Sequence, residues 1–199
     1  MTAVKLCGLT KERDILVANR LKPEYIGFVF WKKSRRYVEP EQAQKLKARL
    51  DRDIKAVGVF VDAPIEQVEE LFSQKIIDMA QLHGNEDEMY ISSLQQKGIP
   101  VIKACRVTAQ GMDEEILKSK AEFILFDPGK GEGRTFGWDC IKAVKRPYFL
   151  AGGLTPENVG KAIEFLHPYA VDVSSGIETN REKDETKMAA FLQAVRKEG

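Results

Sequence analysis

Cys7, His83, Asp127 and Asp172 each lie in or at the end of a short apolar run, where they can do chemistry that a plain strand does not need. Cys7 is followed directly by Gly8. Its thiolate can serve as nucleophile or general base if the surroundings lower its pKa from the free value of about 8.5. A small buried hydrophobe would occupy the same position equally well. Asp127 closes the run Phe123–Phe126 and suits a general acid or base, or equally a turn former. His83, one of only two histidines, ends Gln81-Leu82-His83-Gly84 and fits either a place in the site or a hydrogen-bonded scaffold role. Two histidines far apart give no cluster of metal-ligand spacing, so metal-assisted hydrolysis is disfavoured. Cys105 and Cys140 read as structural.

Other segments are suited to binding. Trp31-Lys32-Lys33-Ser34-Arg35-Arg36-Tyr37 packs cations that can take a carboxylate or a phosphate, with arginine as a two-pronged partner, or that are simply solvated. Ala151-Gly152-Gly153-Leu154-Thr155 and Asp172-Val173-Ser174-Ser175-Gly176 are turns of small residues, through which backbone amides can approach an anion closely. Asp127 leads into Pro128-Gly129-Lys130-Gly131-Glu132-Gly133, whose alternate glycines suit a lid. That spacing does not match the GxxxxGK[ST] phosphate loop.

Alternating elements must position these residues. Apolar runs rich in Val, Ile and Phe predict strands at Val4–Leu9, Tyr25–Phe30, Ile54–Val61, Ile77–Leu82, Ile99–Cys105, Phe123–Phe126, Tyr148–Ala151 and Ala170–Val173. Several are continuous, as strands covered on both faces should be. Between them the spacing turns helical, as at Val159, Ala162, Ile163 and Leu166 and at Met188, Phe191, Leu192 and Val195. Ala43, Leu46 and Leu50 form a stripe behind Pro40, which suits a first helical position, and Thr155 is expected to cap the helix that follows it.

Strand–helix alternation implies parallel strands joined by helical crossovers. Eight such units of about 25 residues, with no break in composition, favour a (β/α)8 TIM barrel over an open doubly wound sheet. The expected organisation is one compact α/β domain over residues 1–199. Function then belongs at the C-terminal strand ends, with Cys7 and Asp127 on opposite sides of the mouth and the two small-residue turns following strands seven and eight, where barrels commonly bind phosphate. The reading from residues alone is a barrel for a phosphorylated, aromatic or acidic small molecule, with a proton-shuttling acid–base pair.

The 31 Lys and Arg nearly balance 30 Asp and Glu, a net charge of +1, which argues against bulk attraction to nucleic acid or membrane. No run approaches a membrane span, the start lacks the pattern of a signal peptide, and three dispersed cysteines suit a reducing cytoplasm.

Taken in order, Lys5-Leu6-Cys7-Gly8, Gly27-Phe28-Val29-Phe30 with Ser34-Arg35-Arg36-Tyr37-Val38, Gly58-Val59-Phe60-Val61, Gln81-Leu82-His83-Gly84, Thr135-Phe136-Gly137-Trp138, Gly152-Gly153-Leu154-Thr155-Pro156-Glu157-Asn158-Val159 and Val171-Asp172-Val173-Ser174-Ser175-Gly176-Ile177-Glu178 closely resemble phosphoribosylanthranilate isomerase. The resemblance implies an Amadori rearrangement in tryptophan biosynthesis, without metal or organic cofactor, by a monomer or homodimer. It implies Cys7 as the base that removes the ribose C2′ proton and Asp127 as the acid that protonates the ring oxygen. Arg36 matches the arginine for the anthranilate carboxylate, and His83 falls within a matching block. Gly152, Gly153, Ser174, Ser175 and Gly176 match the phosphate site, with Asp172 near the sugar hydroxyls. The chain departs from the family pattern after strand six, where Gly137 replaces the usual Asp before Trp138 in a shortened loop that bears on lid closure. The two-substrate isomerase that also acts in histidine synthesis has a carboxylate at the place of Cys7. A catalytically dead phosphate-binding barrel would lack the acid–base pair.

Overall fold

The computed structural model describes residues 1–107, 114–127, 141, 142 and 144–198. Its strands are β1 (Ala3–Cys7), β2 (Tyr25–Val29), β3 (Lys55–Phe60), β4 (Met79–Leu82), β5 (Val101–Arg106), β6 (Phe123–Asp127), β7 (Tyr148–Leu150) and β8 (Ala170–Val173). They close in sequence order into an eight-stranded barrel, every pair parallel, with β8 returning to β1 through Lys5 opposite Asp172. This is the (β/α)8 barrel expected from the alternation of strand and helix patterns.

Helices α1 (Glu12–Leu21), α2 (Pro40–Lys47), α3 (Ile65–Ser73), α4 (Glu88–Gln96) and α5 (Val159–Leu166) supply crossovers, and α6 (Glu185–Lys197) follows β8. Pro40 opens α2 at a position where its missing N–H costs nothing. Asp184 caps α6 by accepting from the Lys187 amide, and Arg196 and Lys197 complement the helix dipole in its last turn. The apolar stripes of α5 and α6 are buried throughout.

Two-residue alternation divides each strand between two cores. Val4 and Leu6, Ile26 and Phe28, and Ile124 and Phe126 point outward into the layer beneath the helices. Ala3, Tyr25, Val57, Met79, Ile102, Leu125, Phe149 and Ala170 point inward. At the N-terminal end the barrel is plugged by aromatic rings: Phe149 meets Tyr25 and Phe123 edge-on at 5.4 and 5.3 Å, and Tyr169 stacks on Phe123 at 4.8 Å. The same alternation carried toward the C-terminal end turns Lys5, Cys7, Gln81 and Asp172 inward, where the apolar filling gives way to polar groups.

Several boundaries differ from the sequence reading. β1 stops at Cys7 because Gly8 adopts a φ of +77° and, with Leu9, turns its amide onto the Gly27 carbonyl. β6 extends to Asp127, opposite Arg106 of β5. Thr155 caps the turn before α5 rather than α5 itself: its Oγ1 accepts from the Glu157 amide at 3.3 Å and its own amide donates to Asn158 Oδ1 at 2.8 Å, while Asn158 takes the cap position of the helix. The segment after β5 carries a 3₁₀ turn, Glu114–Lys118, and Ser175–Ile177 forms another before a short hairpin, β9 (Glu178–Thr179) and β10 (Glu182–Lys183). Cys105 sits within β5 and faces the outer core, consistent with a structural thiol. Cys140, the glycine loop 129–133 and the block 135–138 lie outside the described residues.

Phe149 is fully buried and braces three other aromatic rings, so its loss leaves a cavity that strands held in a closed barrel cannot collapse around. Phe149→Ala is expected to lower unfolding free energy by about 3–5 kcal/mol, read from urea denaturation. A loss below about 1 kcal/mol would show that the aromatic plug is not a stability determinant.

Candidate active site

A cavity of about 320 Å³ opens at the C-terminal ends of the strands. Its lining includes Cys7, Arg36, His83, Asp127, Gly152, Gly153, Asp172, Ser174 and Ser175, so nine positions singled out from the sequence converge on one space. Gly176 stands just behind it. A Cβ on Gly176 would lie 1.9 Å from the Leu154 carbonyl oxygen, so the turns after β7 and β8 pack backbone to backbone there. Gly152 and Gly153 have φ of 84° and 65°, a left-handed turn that few other residues adopt.

Lys5 organises the floor. It is wholly buried, with Nζ 2.6 Å from Gln81 Oε1 and 3.2 Å from Asp172 Oδ2. Burial by itself lowers the Lys5 pKa, but the charges of Asp172 and Cys7 outweigh it and hold the ammonium above its usual value. Because Gln81 Oε1 accepts from Lys5, its amide nitrogen faces His83 Nδ1, at 3.1 Å. Nδ1 therefore accepts, and the neutral imidazole carries its proton on Nε2, 3.7 Å from Asp127 Oδ2. Burial pushes the His83 pKa down despite the opposing pull of Asp127, which keeps the ring neutral.

Cys7 is also buried, and Gly27 beside it leaves room for its sulfur, since a Cβ there would come within 2.7 Å of Sγ. Desolvation pushes the Cys7 thiol above its ordinary value, and nearby Lys5 and Lys183 only partly oppose it. The condition set for a reactive thiolate, surroundings that lower its pKa, is therefore not supplied by the protein groups around Cys7.

Arg36 approaches from the loop after β2, and Glu178 holds it. Nε and Nη2 of Arg36 donate to Oε1 and Oε2 of Glu178 at 2.6 and 3.0 Å. Arg35 Nη2 and Lys183 Nζ donate to the same carboxylate at 2.6 and 2.9 Å. Burial alone would raise the Glu178 pKa, but these cations hold it down at about 2. Lys183 also donates to the Ser174 carbonyl at 2.9 Å, and Ser174 Oγ donates to the Cys7 carbonyl at 3.1 Å. Among the described residues, no three His, Cys, Asp or Glu side chains are grouped as metal ligands would be.

Lys5, Gln81, Glu178 and Lys183 are the site residues that sequence reading left without a role. The signal for the first two was present: Lys5 stands two residues before Cys7 and Gln81 two before His83, so each shares its inward face. Glu178 and Lys183 carried no such signal, because the hairpin that presents them is only two residues long on each side.

Comparison with known proteins agrees along the whole chain. The family model described as N-(5'phosphoribosyl)anthranilate (PRA) isomerase matches residues 4–194. An N-(5'-phosphoribosyl)anthranilate isomerase of Clostridium acetobutylicum is 45% identical, with 99% of each chain covered. The crystal structure of phosphoribosyl anthranilate isomerase from Thermotoga maritima superposes with a TM-score of 0.89 at 34% identity, over 99% of this chain and 100% of that one. A further structure of such an isomerase, in complex with reduced 1-(o-carboxyphenylamino)-1-deoxyribulose 5-phosphate, gives 0.86 at 34% identity over 99% of this chain and 100% of that one.

The backbone contact at Gly176 yields a test that needs no knowledge of the ligand's far end. In Gly176→Ala the new methyl meets a carbonyl rather than a flexible side chain, so the turns after β7 and β8 must part. Affinity for inorganic phosphate is expected to fall about tenfold or more. Unchanged phosphate affinity, measured calorimetrically on folded protein, would separate this packing contact from anion binding.

Proposed function

Given that this chain belongs to the N-(5'-phosphoribosyl)anthranilate isomerase family, we propose that the cavity lined by Cys7, Asp127 and Arg36 is its active site. The reaction is the Amadori rearrangement of N-(5-phosphoribosyl)anthranilate to 1-(2-carboxyphenylamino)-1-deoxyribulose 5-phosphate, a step of tryptophan biosynthesis. The substrate has an anion at each end and a furanose between them. The observation that carries the assignment of residues is that one cavity is lined together by an arginine, two small-residue turns, an acid and a thiol.

In this reading the turns at Gly152-Gly153 and Ser174-Ser175-Gly176 take the phosphate through backbone amides, while Arg36 takes the anthranilate carboxylate. Asp127 donates a proton to the furanose ring oxygen as the C1′–O bond breaks, and the nitrogen lone pair forms the protonated Schiff base. Cys7 then removes the C2′ proton, and the electron pair moves to quench the iminium, giving an enolamine that tautomerises to the aminoketone. Asp172 fits a role toward the sugar hydroxyls. Its Oδ1 is buried and is the side-chain oxygen left without a hydrogen-bond partner among the described residues, an acceptor waiting for a donor. His83, neutral and with its proton on Nε2, orients toward Asp127 on the acid side.

The thiol is the harder group to account for, since burial disfavours its charged form. The iminium supplies a positive charge next to C2′ that both acidifies the proton and favours the thiolate. We place the reaction in the cytoplasm, where thiols such as Cys7 and Cys105 stay reduced. No helix among the described residues is long and apolar enough to cross a membrane. Every group in this reading comes from one chain, so a monomer and a homodimer would each carry complete sites.

Cys7→Ala and Asp127→Ala are each expected to abolish turnover of freshly generated phosphoribosylanthranilate, followed by loss of its fluorescence, while leaving folding intact. Arg36→Ala should chiefly raise KM. Full activity in Cys7→Ala would remove the thiol from the mechanism, and absence of turnover by the unaltered protein would remove the assignment of function. Burial raises the thiol, so in the free enzyme its ionisation, read as thiolate ultraviolet absorbance in the difference between the unaltered protein and Cys7→Ala, is expected above the range of an ordinary thiol. Thiolate already formed at neutral pH would show instead that the site lowers this pKa.

A further inference from the structure

We propose that Glu178 is a positioning residue that fixes one edge of the Arg36 guanidinium so that its opposite edge is presented to the substrate carboxylate. The inference rests on the reading of Arg36 as the carboxylate anchor. It adds what holds that anchor and what sets its direction.

A guanidinium has five N–H donors arranged around a plane, and a carboxylate uses two of them at once. Glu178 takes Nε and Nη2 at 2.6 and 3.0 Å, the edge nearest the side-chain stem. Left over are both protons on Nη1 and the second on Nη2, which form the other paired edge. A second carboxylate can therefore bind Arg36 without displacing the first. Arg36 lines the cavity and keeps 23% of its side chain exposed, whereas Glu178 keeps 6%. The carboxylate is the buried member of the pair and the arginine the accessible one.

The stem is fixed as well. The Arg36 Cδ lies over the turn at Gly8, so closely that a Cβ there would come within 2.4 Å of it. The Arg36 amide donates to Ser34 Oγ at 3.1 Å. Glu178 itself is held from the far side by Lys183, whose side chain is 4% exposed, and by Arg35. An arginine alone would lose rotamer freedom on binding substrate, and Glu178 removes that freedom beforehand.

Neutralisation and positioning predict opposite results when the carboxylate is removed. If Glu178 merely balanced Arg35, Arg36 and Lys183, its loss would leave a stronger positive field and tighten every anion. If it positions Arg36, its loss weakens the carboxylate end selectively. The probes are reduced 1-(o-carboxyphenylamino)-1-deoxyribulose 5-phosphate and its phenylamino counterpart lacking the carboxyl group. Both carry the phosphate, so the ratio of their affinities isolates the carboxylate.

In Glu178→Gln the preference for the carboxylated probe is expected to drop about tenfold, and KM to rise by a similar factor with kcat much less affected. Glu178→Asp keeps the charge but is one methylene too short to reach both nitrogens of Arg36. It should show the same loss, which also covers the case in which the glutamine variant does not fold. Arg36→Ala, measured alongside, should abolish the preference. If Arg36→Ala abolishes it while both Glu178 variants retain it, the positioning role is wrong and the carboxylate anchor stands. If Arg36→Ala retains it, the anchor is misassigned and the inference falls with it. Tighter binding of both probes in Glu178→Gln would assign the residue to charge balance alone.

Discussion

An ammonium group with no access to water sits inside the barrel, and its compensation dictates much of what surrounds it. An unpaired charge at the position of Lys5 would cost several kcal/mol even after relaxation. Asp172 supplies the counter-charge from the neighbouring strand, directly opposite in register. Gln81 supplies a carbonyl oxygen from β4, on the other side of the barrel. Satisfying one buried group thereby fixes two others. Asp172 is held with one oxygen engaged and one unpartnered, and the Gln81 amide can point only one way. That orientation passes to His83 and settles which of its nitrogens faces Asp127. Hydrogen bonds thus run through the floor of the cavity from Lys5 by way of Gln81 to His83, which stands 3.7 Å from Asp127, the acid of the proposed reaction.

A second network holds the rim. Glu178 gathers Arg35, Arg36 and Lys183, and Lys183 continues through Ser174 to the backbone carbonyl of Cys7. The turns after β7 and β8 are packed backbone to backbone at Gly176. Together these contacts span β7, β8, β1 and β2, the arc that carries both proposed anion anchors and the thiol. Rigidity is what a substrate with two charged ends requires, because each anchor contributes fully only when the other is at the right separation.

The sequence made the barrel legible because each strand writes its pattern locally, and parallel strands buried on both faces leave unmistakable apolar runs. Cys7, Asp127 and the turns at Gly152 and Ser174 were legible for a related reason, as chemically conspicuous residues at the ends of those runs. Lys5 was less so, although the alternation that turns Cys7 inward applies to it equally. Glu178 was not legible as the partner of Arg36, since 142 residues separate them and no local rule links a loop after β2 with a hairpin after β8. Thr155 was legible only in part: its hydroxyl caps the turn Thr-Pro-Glu as that pattern suggests, but the Asn158 hydrogen bond closes the turn and the helix begins later. Local signals specify elements; closure of the barrel specifies which of their residues meet.

The contacts around the rim have a bearing on descent. The arc from β7 through β2 is internally braced and holds the groups proposed to recognise the two ends of the substrate, together with the thiol. Asp127 and His83 stand on β6 and just beyond β4, touching that arc through Gln81 and Lys5. Change around β4 and β6 can therefore alter the proposed proton donor while the braced arc, with the proposed phosphate and carboxylate anchors, stays intact. Inherited recognition and newly acquired chemistry can part company along this seam, which gives a barrel of this kind a route to act on other molecules of the same length.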